Sequence, residues 1–202
     1  MQHDGAVPTG NLIVLNGPSS AGKSTLAVAL QQQFAAAGEC WFVYGMDDYF
    51  AKVPFDWVAA GKHRGPHAEE GVVLEVVDGE FGLRLGPIGQ RVLYAWRGAV
   101  GAAVRAGLNV IADEVVLTEE DWQGWQSELD GLDAHWVRVQ IDLDVLDERE
   151  RARPEARLPG HARSQHAVVH RHPTYDAEVD TGVLDPDAAA AAVIADWRAR
   201  AQ

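Results

Sequence analysis

The chain has 202 residues and a formal net charge of −13, with 17 Lys and Arg against 30 Asp and Glu. That acid excess excludes a nucleic-acid-binding protein, which needs a basic face to neutralise phosphates, and the absence of an apolar run of about 18 residues excludes a membrane span. A single cysteine, Cys40, excludes an internal disulfide and, with a polar start lacking a signal-peptide pattern, points to the cytoplasm.

Residues 11–16 form an apolar run ended by glycine, the pattern of a strand buried on both faces. The next residues read Gly17-Pro18-Ser19-Ser20-Ala21-Gly22-Lys23-Ser24. Glycines are needed there because backbone N–H groups must turn inward onto phosphate oxygens in a bend that a Cβ would obstruct. In this reading Gly17, Ser19, Ser20, Ala21, Gly22, Lys23, Ser24 and Thr25 bind the phosphates of ATP. Lys23 reaches the β- and γ-phosphates and the Ser24 hydroxyl holds Mg²⁺. A helix over 24–37 follows, with Leu26, Leu30 and Phe34 on one face and Gly38 at its end, so its positive N-terminus also faces the anion.

A second strand over 40–44 leads to Asp47-Asp48. In open parallel sheets ligands sit beyond the carboxyl ends of strands, so Asp47 is placed to take the proton of an attacking hydroxyl. A metal-ligand role for Asp47 stays open, and Asp48 is the more structural of the two. Residues 50–66 have no clean period and predict a loop with a short helix. Residues 72–85 predict a hairpin around Asp78-Gly79, and 88–106 a mostly buried helix stopped by Gly107.

The third strand, 108–113, ends in Asp113, with Glu114 beside it. A carboxylate here holds Mg²⁺ through water in P-loop enzymes; Asp113 is the first candidate and Glu114 the second. A helix over 118–129 has Thr118 as N-cap and Asp121 three residues on. A fourth strand over 135–142 precedes a helix from 143 to about 153, and 153–163 predicts an arginine- and proline-rich loop. Among Arg149, Arg151, Arg153, Arg157 and Arg163, the first and third share a helix face at i and i+4. Planar guanidiniums suit the charge on a transferring phosphoryl group, although Asp147, Glu148, Glu150 and Glu155 equally suit a solvated charged helix. His166 and His170 have metal-ligand spacing with nothing to complete a site. Phe50, Phe55, Trp57, Tyr94 and Trp96 supply candidates for an apolar acceptor wall. A weak strand over 177–181 and a helix over 186–201, with Asp185 as N-cap and Pro186 at N1, end the chain.

Strands alternating with helices predict an α/β fold: a P-loop kinase-like parallel sheet flanked by helices, with a helical lid (149–165) and an inserted hairpin on the acceptor side (48–87), all in a single domain over 1–202.

The runs Leu15-Asn16-Gly17-Pro18-Ser19-Ser20-Ala21-Gly22-Lys23-Ser24, Tyr44-Gly45-Met46-Asp47 and Ile111-Ala112-Asp113-Glu114-Val115 resemble the chloramphenicol phosphotransferase family, small P-loop kinases related in fold to shikimate and nucleoside monophosphate kinases. The segments 148–153 and 175–181 resemble that family's lid helix and final strand. The resemblance implies ATP- and Mg²⁺-dependent phosphorylation of a hydroxyl on an antibiotic or similar natural product. It implies Asp47 as the base and Arg149 and Arg153 as stabilisers of the phosphoryl group, with Lys23 and Ser24 in the phosphate and metal roles already read from the loop. The residues after Asp47 are bulkier and more charged than the antibiotic enzyme's, which leaves the acceptor open. A kinase of primary metabolism and a non-catalytic ATP-binding regulator are the alternatives.

Overall fold

The computed structural model describes residues 8–77, 80–153 and 160–200. Strand β1 (Leu12–Asn16) is buried at every position. It splits the core in two: Ile13 and Leu15 face one helical layer and Leu12 and Val14 the other. Helix α1 (Lys23–Ala36) starts one residue earlier than the sequence predicts, at Lys23, because Gly22 with φ 86° leaves the loop and enters the helix directly. Its left-handed Gly38 (φ 80°) ends it as expected.

Next come β2 (Trp41–Gly45) and the short helix α2 (Met46–Phe50). The stretch predicted as a loop with a short helix carries a 3-10 turn at Phe55–Trp57 and, beyond the prediction, two short strands, β3 (Val58–Ala60) and β4 (His63–Arg64). These join the predicted hairpin arms β5 (Val72–Val77) and β6 (Glu80–Leu85) in a second, four-stranded sheet of order β4-β3-β5-β6. Two- and three-residue strands leave no alternation to read in the sequence. The Asp78-Gly79 turn lies outside the described residues.

Helix α3 (Pro87–Arg105) buries Trp96, Val100 and Val104. It is amphipathic rather than mostly buried, since Tyr94 is 71% exposed. Strand β7 (Asn109–Glu114) leads to α4 (Glu119–Glu128), whose capping box between Thr118 and Asp121 forms as the sequence implies. Strand β8 (Ala134–Gln140) stops short of Asp142, which instead caps α5 (Leu143–Ala152) through the amides of Asp144 and Val145. The predicted 153–163 loop is corrected at its end, where α6 (His161–His166) begins; Arg157 lies outside the described residues. Strand β9 (Ala177–Asp180) and α7 (Pro186–Arg200) complete the chain, with Asp185 accepting from the Ala188 amide.

The main sheet is parallel with order β2-β7-β1-β8-β9. Helices α1 and α7 supply apolar residues to one face, and α3 and α4 to the other. With β1 central, the loop after it, the end of β7 and the end of β2 open on the same edge. Among the described residues no helix is long and apolar enough to cross a membrane.

On the α1–α7 face, Phe34 is fully buried and stacks on Trp41 at 4.2 Å, with Trp197 edge-on to both. Phe34→Ala is expected to cost about 3–5 kcal/mol through lost transfer energy and the cavity left behind. Urea unfolding should show this as a lower midpoint at unchanged slope.

Candidate functional site

Two close approaches hold the loop after β1. A side chain at Gly17 would meet the Val139 carbonyl oxygen at 2.6 Å, so only glycine lets the loop pass β8. At Gly22 the left-handed backbone and the lack of a Cβ admit the Arg149 guanidinium, whose Nη1 lies 3.3 Å from the place a Cβ would take. Among the described residues Ser20 is the non-glycine residue with positive φ, at 65°, and its buried Oγ has no hydrogen-bond partner. A strained backbone and an orphaned hydroxyl at a phosphate-type loop are features a bound anion would satisfy.

Lys23 is 6% exposed. Its Nζ donates to the Pro18 carbonyl at 3.0 Å and lies 3.5 Å from Asp113 Oδ1. Ser24 Oγ donates to the other Asp113 oxygen at 2.6 Å. The two metal candidates therefore meet. A hydroxyl and a carboxylate with open solvent beside them form the sparse oxygen set that Mg²⁺ accepts, since it keeps waters and takes substrate phosphates as further ligands.

Register explains the meeting: Asp113 pairs with Leu15 on one side and Gly45 on the other. Asp47 and Asp48 follow Gly45 by two and three residues. Both line a cavity of about 340 Å³ that also contains Ser19, Lys23, Ser24 and Asp113. Asp47 is exposed to this space. The Asp48 carboxylate turns back beside Gly45, 3.1 Å from where a Cβ would stand there. Much of the remaining lining is apolar, including Met46, Phe50, Val72, Leu74, Leu83 and Val115.

Glu114 does not join this site. It is 1% exposed and accepts the indole N–H of Trp96 at 2.6 Å and of Trp125 at 2.9 Å, plus the Val115 amide at 2.7 Å. Burial pushes its pKa up, against those hydrogen bonds. The second metal candidate is thus a structural carboxylate, and Trp96 is its partner rather than an acceptor wall. Of the other aromatic candidates Phe50 lines the cavity, Phe55 stacks on His63 and Trp57 on His67.

Arg149 and Arg153 border a second cavity of about 620 Å³, which shares Ser20 and Gly22 with the first and is also lined by Thr25 and residues 181–186. Arg149 Nη2 donates to the Thr181 carbonyl at 2.6 Å. Arg153, just past α5, borders both cavities. Arg151 is exposed, and Arg163 is paired with Asp147.

Several residues of this region carry no sequence signal. Thr181 Oγ1 donates to the Ala21 carbonyl, and Gln165 Oε1 accepts the Ser19 amide at 2.6 Å. Glu150 accepts the amides of Gly160 at 3.1 Å and Ala162 at 2.7 Å, fastening α6 to α5. Asn16 is fully buried and ties three segments together. Its Oδ1 accepts the Val116 amide at 2.8 Å, while its Nδ2 donates to the Val169 carbonyl at 3.0 Å and the Tyr175 hydroxyl at 2.6 Å. An asparagine closing an apolar strand was the one clue available.

Residues 10–198 match the family described as chloramphenicol phosphotransferase-like protein. A Mycobacterium tuberculosis protein named "Putative O-phosphotransferase", represented in two strains, is 32% identical over 176 residues, 87% of this chain and 76% of that one. The chain belongs to the chloramphenicol phosphotransferase-like family. Among solved structures, the Mycobacterium tuberculosis APS kinase CysC, in complex with AMPPNP and APS, superposes with TM-score 0.66 at 16% identity, covering 95% of this chain and 99% of that one. The Deinococcus radiodurans tunicamycin resistance protein gives TM-score 0.60 at 17% identity, covering 93% and 95%. The fold is that of the P-loop kinases, and this family member is a phosphotransferase of kinase type.

His170 sits behind the site. Its Nδ1 is 2.7 Å from the Tyr175 hydroxyl, and that hydroxyl already accepts from Asn16, so its own hydrogen is free to donate to a neutral imidazole. Desolvation lowers the His170 pKa from 6.5 to about 4. A depressed histidine pKa means that the native state resists protonation. The contribution is present above about pH 6.5 and is lost as pH falls towards about 4. Denaturant midpoints are expected to drop across that window, and less steeply in His170→Gln.

Proposed function

We propose that this protein transfers the γ-phosphoryl group of ATP to a hydroxyl of a small, largely apolar molecule, an antibiotic or related natural product. The carrying observation is one cavity lined together by Lys23, Ser24 and Asp113, by Asp47, and by apolar side chains from α2, β5, β6 and Val115 just past β7. Among its described lining residues the Lys and Arg side chains are Lys23 and Arg153, against the acids Asp47, Asp48 and Asp113. That charge pattern favours an uncharged hydroxyl compound over an anionic metabolite. The family description and the name of the mycobacterial relative point the same way.

In the proposed reaction the backbone amides of residues 19–25 and the Lys23 ammonium bind the phosphates. Ser24 and Asp113 are the residues that would hold Mg²⁺, which when bound neutralises charge on the phosphate oxygens. The cavity beside Gly22, Thr25 and the 181–186 loop receives the rest of the nucleotide. Arg149 and Arg153, reaching over the loop from the end of α5, add positive charge next to the phosphoryl oxygens as they shift from donor to acceptor. Asp47 takes the acceptor's hydroxyl proton onto its carboxylate as the new oxygen–phosphorus bond forms and ADP leaves. Residues 149–165 act as a lid that excludes water, and 48–87 as the acceptor-side insertion of a single domain.

Asp47→Asn is expected to lower kcat by about 100-fold or more while the Kd for MgATP stays within a factor of about two. Turnover close to wild type would remove Asp47 as the base. Lys23→Ala should abolish transfer, because the buried ammonium has no substitute, and an unchanged kcat would remove the phosphate-loop assignment. The acceptor class is tested by mass spectrometry on a panel of hydroxylated antibiotics and of sugar acids. A gain of roughly 80 Da, one phosphoryl group replacing a hydrogen, is expected on members of the first set; gain on the sugar acids alone would overturn the apolar-acceptor reading.

A further inference from the structure

Helix α6 is latched to the phosphate loop by one side chain. Gln165 is 6% exposed, and its Oε1 accepts the Ser19 backbone N–H at 2.6 Å. Its Nε2 lies 2.6 Å from His161 Nε2, so the amide orientation is set at both ends. The same residue borders the cavity that holds Lys23, Ser24 and Asp47. It also borders a groove of about 940 Å³ on its other side, lined by Leu85, Leu93, Tyr94 and Leu117. Gln165 is therefore part of the wall between the reaction space and the outer groove.

Backbone amides of a Gly-rich phosphate loop are oriented to receive anionic oxygen. In this structure one of them is given to a neutral carboxamide oxygen, brought by an element more than 140 residues away in sequence (|i−j| 146). The carboxamide oxygen has the hydrogen-bonding character of a phosphate oxygen without its charge. Helix α6 is also held at other points: Ala162 is fully buried in the core, and His166 Nε2 lies 3.0 Å from the Ile141 carbonyl. Glu150 of α5 accepts two amides at the start of α6, and Arg163 pairs with Asp147 of α5. The segment after α6 is fixed separately, by Asn16 on the Val169 carbonyl.

We propose that Gln165 is an internal stand-in for phosphate: its side-chain oxygen occupies the Ser19 amide until nucleotide displaces it, so that phosphate binding itself releases α6 from the loop. This rests on the phosphate-loop reading given above and adds to it a competition between protein and nucleotide for one hydrogen-bond donor. The consequence runs against the usual effect of deleting a residue that lines a site. Removing the Gln165 side chain frees the amide and strengthens nucleotide binding. Replacing it by glutamate keeps an acceptor on Ser19 and sets a negative charge against the incoming phosphates.

The test is the Kd of MgATP for wild type, Gln165→Ala, Gln165→Glu and Lys23→Ala, read by calorimetric titration. Loss of a competing hydrogen bond predicts about fivefold tighter binding for Gln165→Ala, and the added charge predicts at least about tenfold weaker binding for Gln165→Glu. In the nucleotide-free state, hydrogen exchange at the α6 amides should be faster in Gln165→Ala than in wild type. Binding by Gln165→Ala that is unchanged or weaker would overturn the proposal, because a residue that merely supports the loop, or that contacts nucleotide directly, gives that result. Should Gln165→Ala not fold, unchanged affinity in the near-isosteric Gln165→Glu overturns it equally. Wild-type binding that is lost in Lys23→Ala keeps the phosphate-loop reading whatever Gln165 does; no binding by wild type removes both.

Discussion

An ammonium group buried at the end of a strand costs several kcal/mol unless opposite charge and hydrogen-bond acceptors surround it. Lys23 is such a group, at 6% exposure. Its compensation comes from the Pro18 carbonyl within its own loop and from Asp113 on the neighbouring strand β7. This pairing requires β7 beside β1, with Asp113 level with Leu15. It requires the loop to fold back on itself, with left-handed Ser20 and Gly22. Much of the remaining architecture supplies these conditions.

The strand order β2-β7-β1-β8-β9 follows the same demand. Placing β7 next to β1 brings one acid to the loop, and placing β2 outside β7 brings Asp47 to the same cavity. On the other flank β8 passes close enough to the loop that Gly17 has no room for a side chain. Asn16 then locks the ends of β1, β7 and the segment after α6 through three hydrogen bonds. Glu114 anchors the neighbouring turn on two indoles, so that adjacent acids in one strand do different work. Alternation of side chains along β7 explains the division: Asp113 points to the loop and α1, Glu114 into the layer under α3 and α4.

The second sheet has a different physical character. Its strands β3 and β4 are short, and its β6 meets the main body at α3 and α6 rather than within the parallel sheet. Val72, Leu74 and Leu83 extend the apolar surface over the reaction space, beside Phe50. Apolar surface of this kind stabilises whatever covers it by area and offers little orientation.

Patterns that depend only on near neighbours were legible in the chain: the buried β1 run, the glycine loop, the Thr118 capping box, Asp185 before Pro186, and the acid closing β7. Each is a local matter of backbone conformation or periodicity, so amino-acid order alone determined it, and with it the family. The 50–66 segment and the start of α6 were not legible, because strands of two or three residues and a six-residue helix exist through contacts with distant partners. Tertiary structure also decided which acid is which at Asp113 and Glu114, and it brought Gln165, Thr181 and Asn16 to the loop. Those three depend on side chains meeting across 100 to 160 positions of chain, a distance over which no spacing rule acts. The sequence by itself determined that a phosphate loop follows a buried strand. Only the packed fold decided what that loop touches, because the loop's amides and its lysine are satisfied by groups that folding alone brings near.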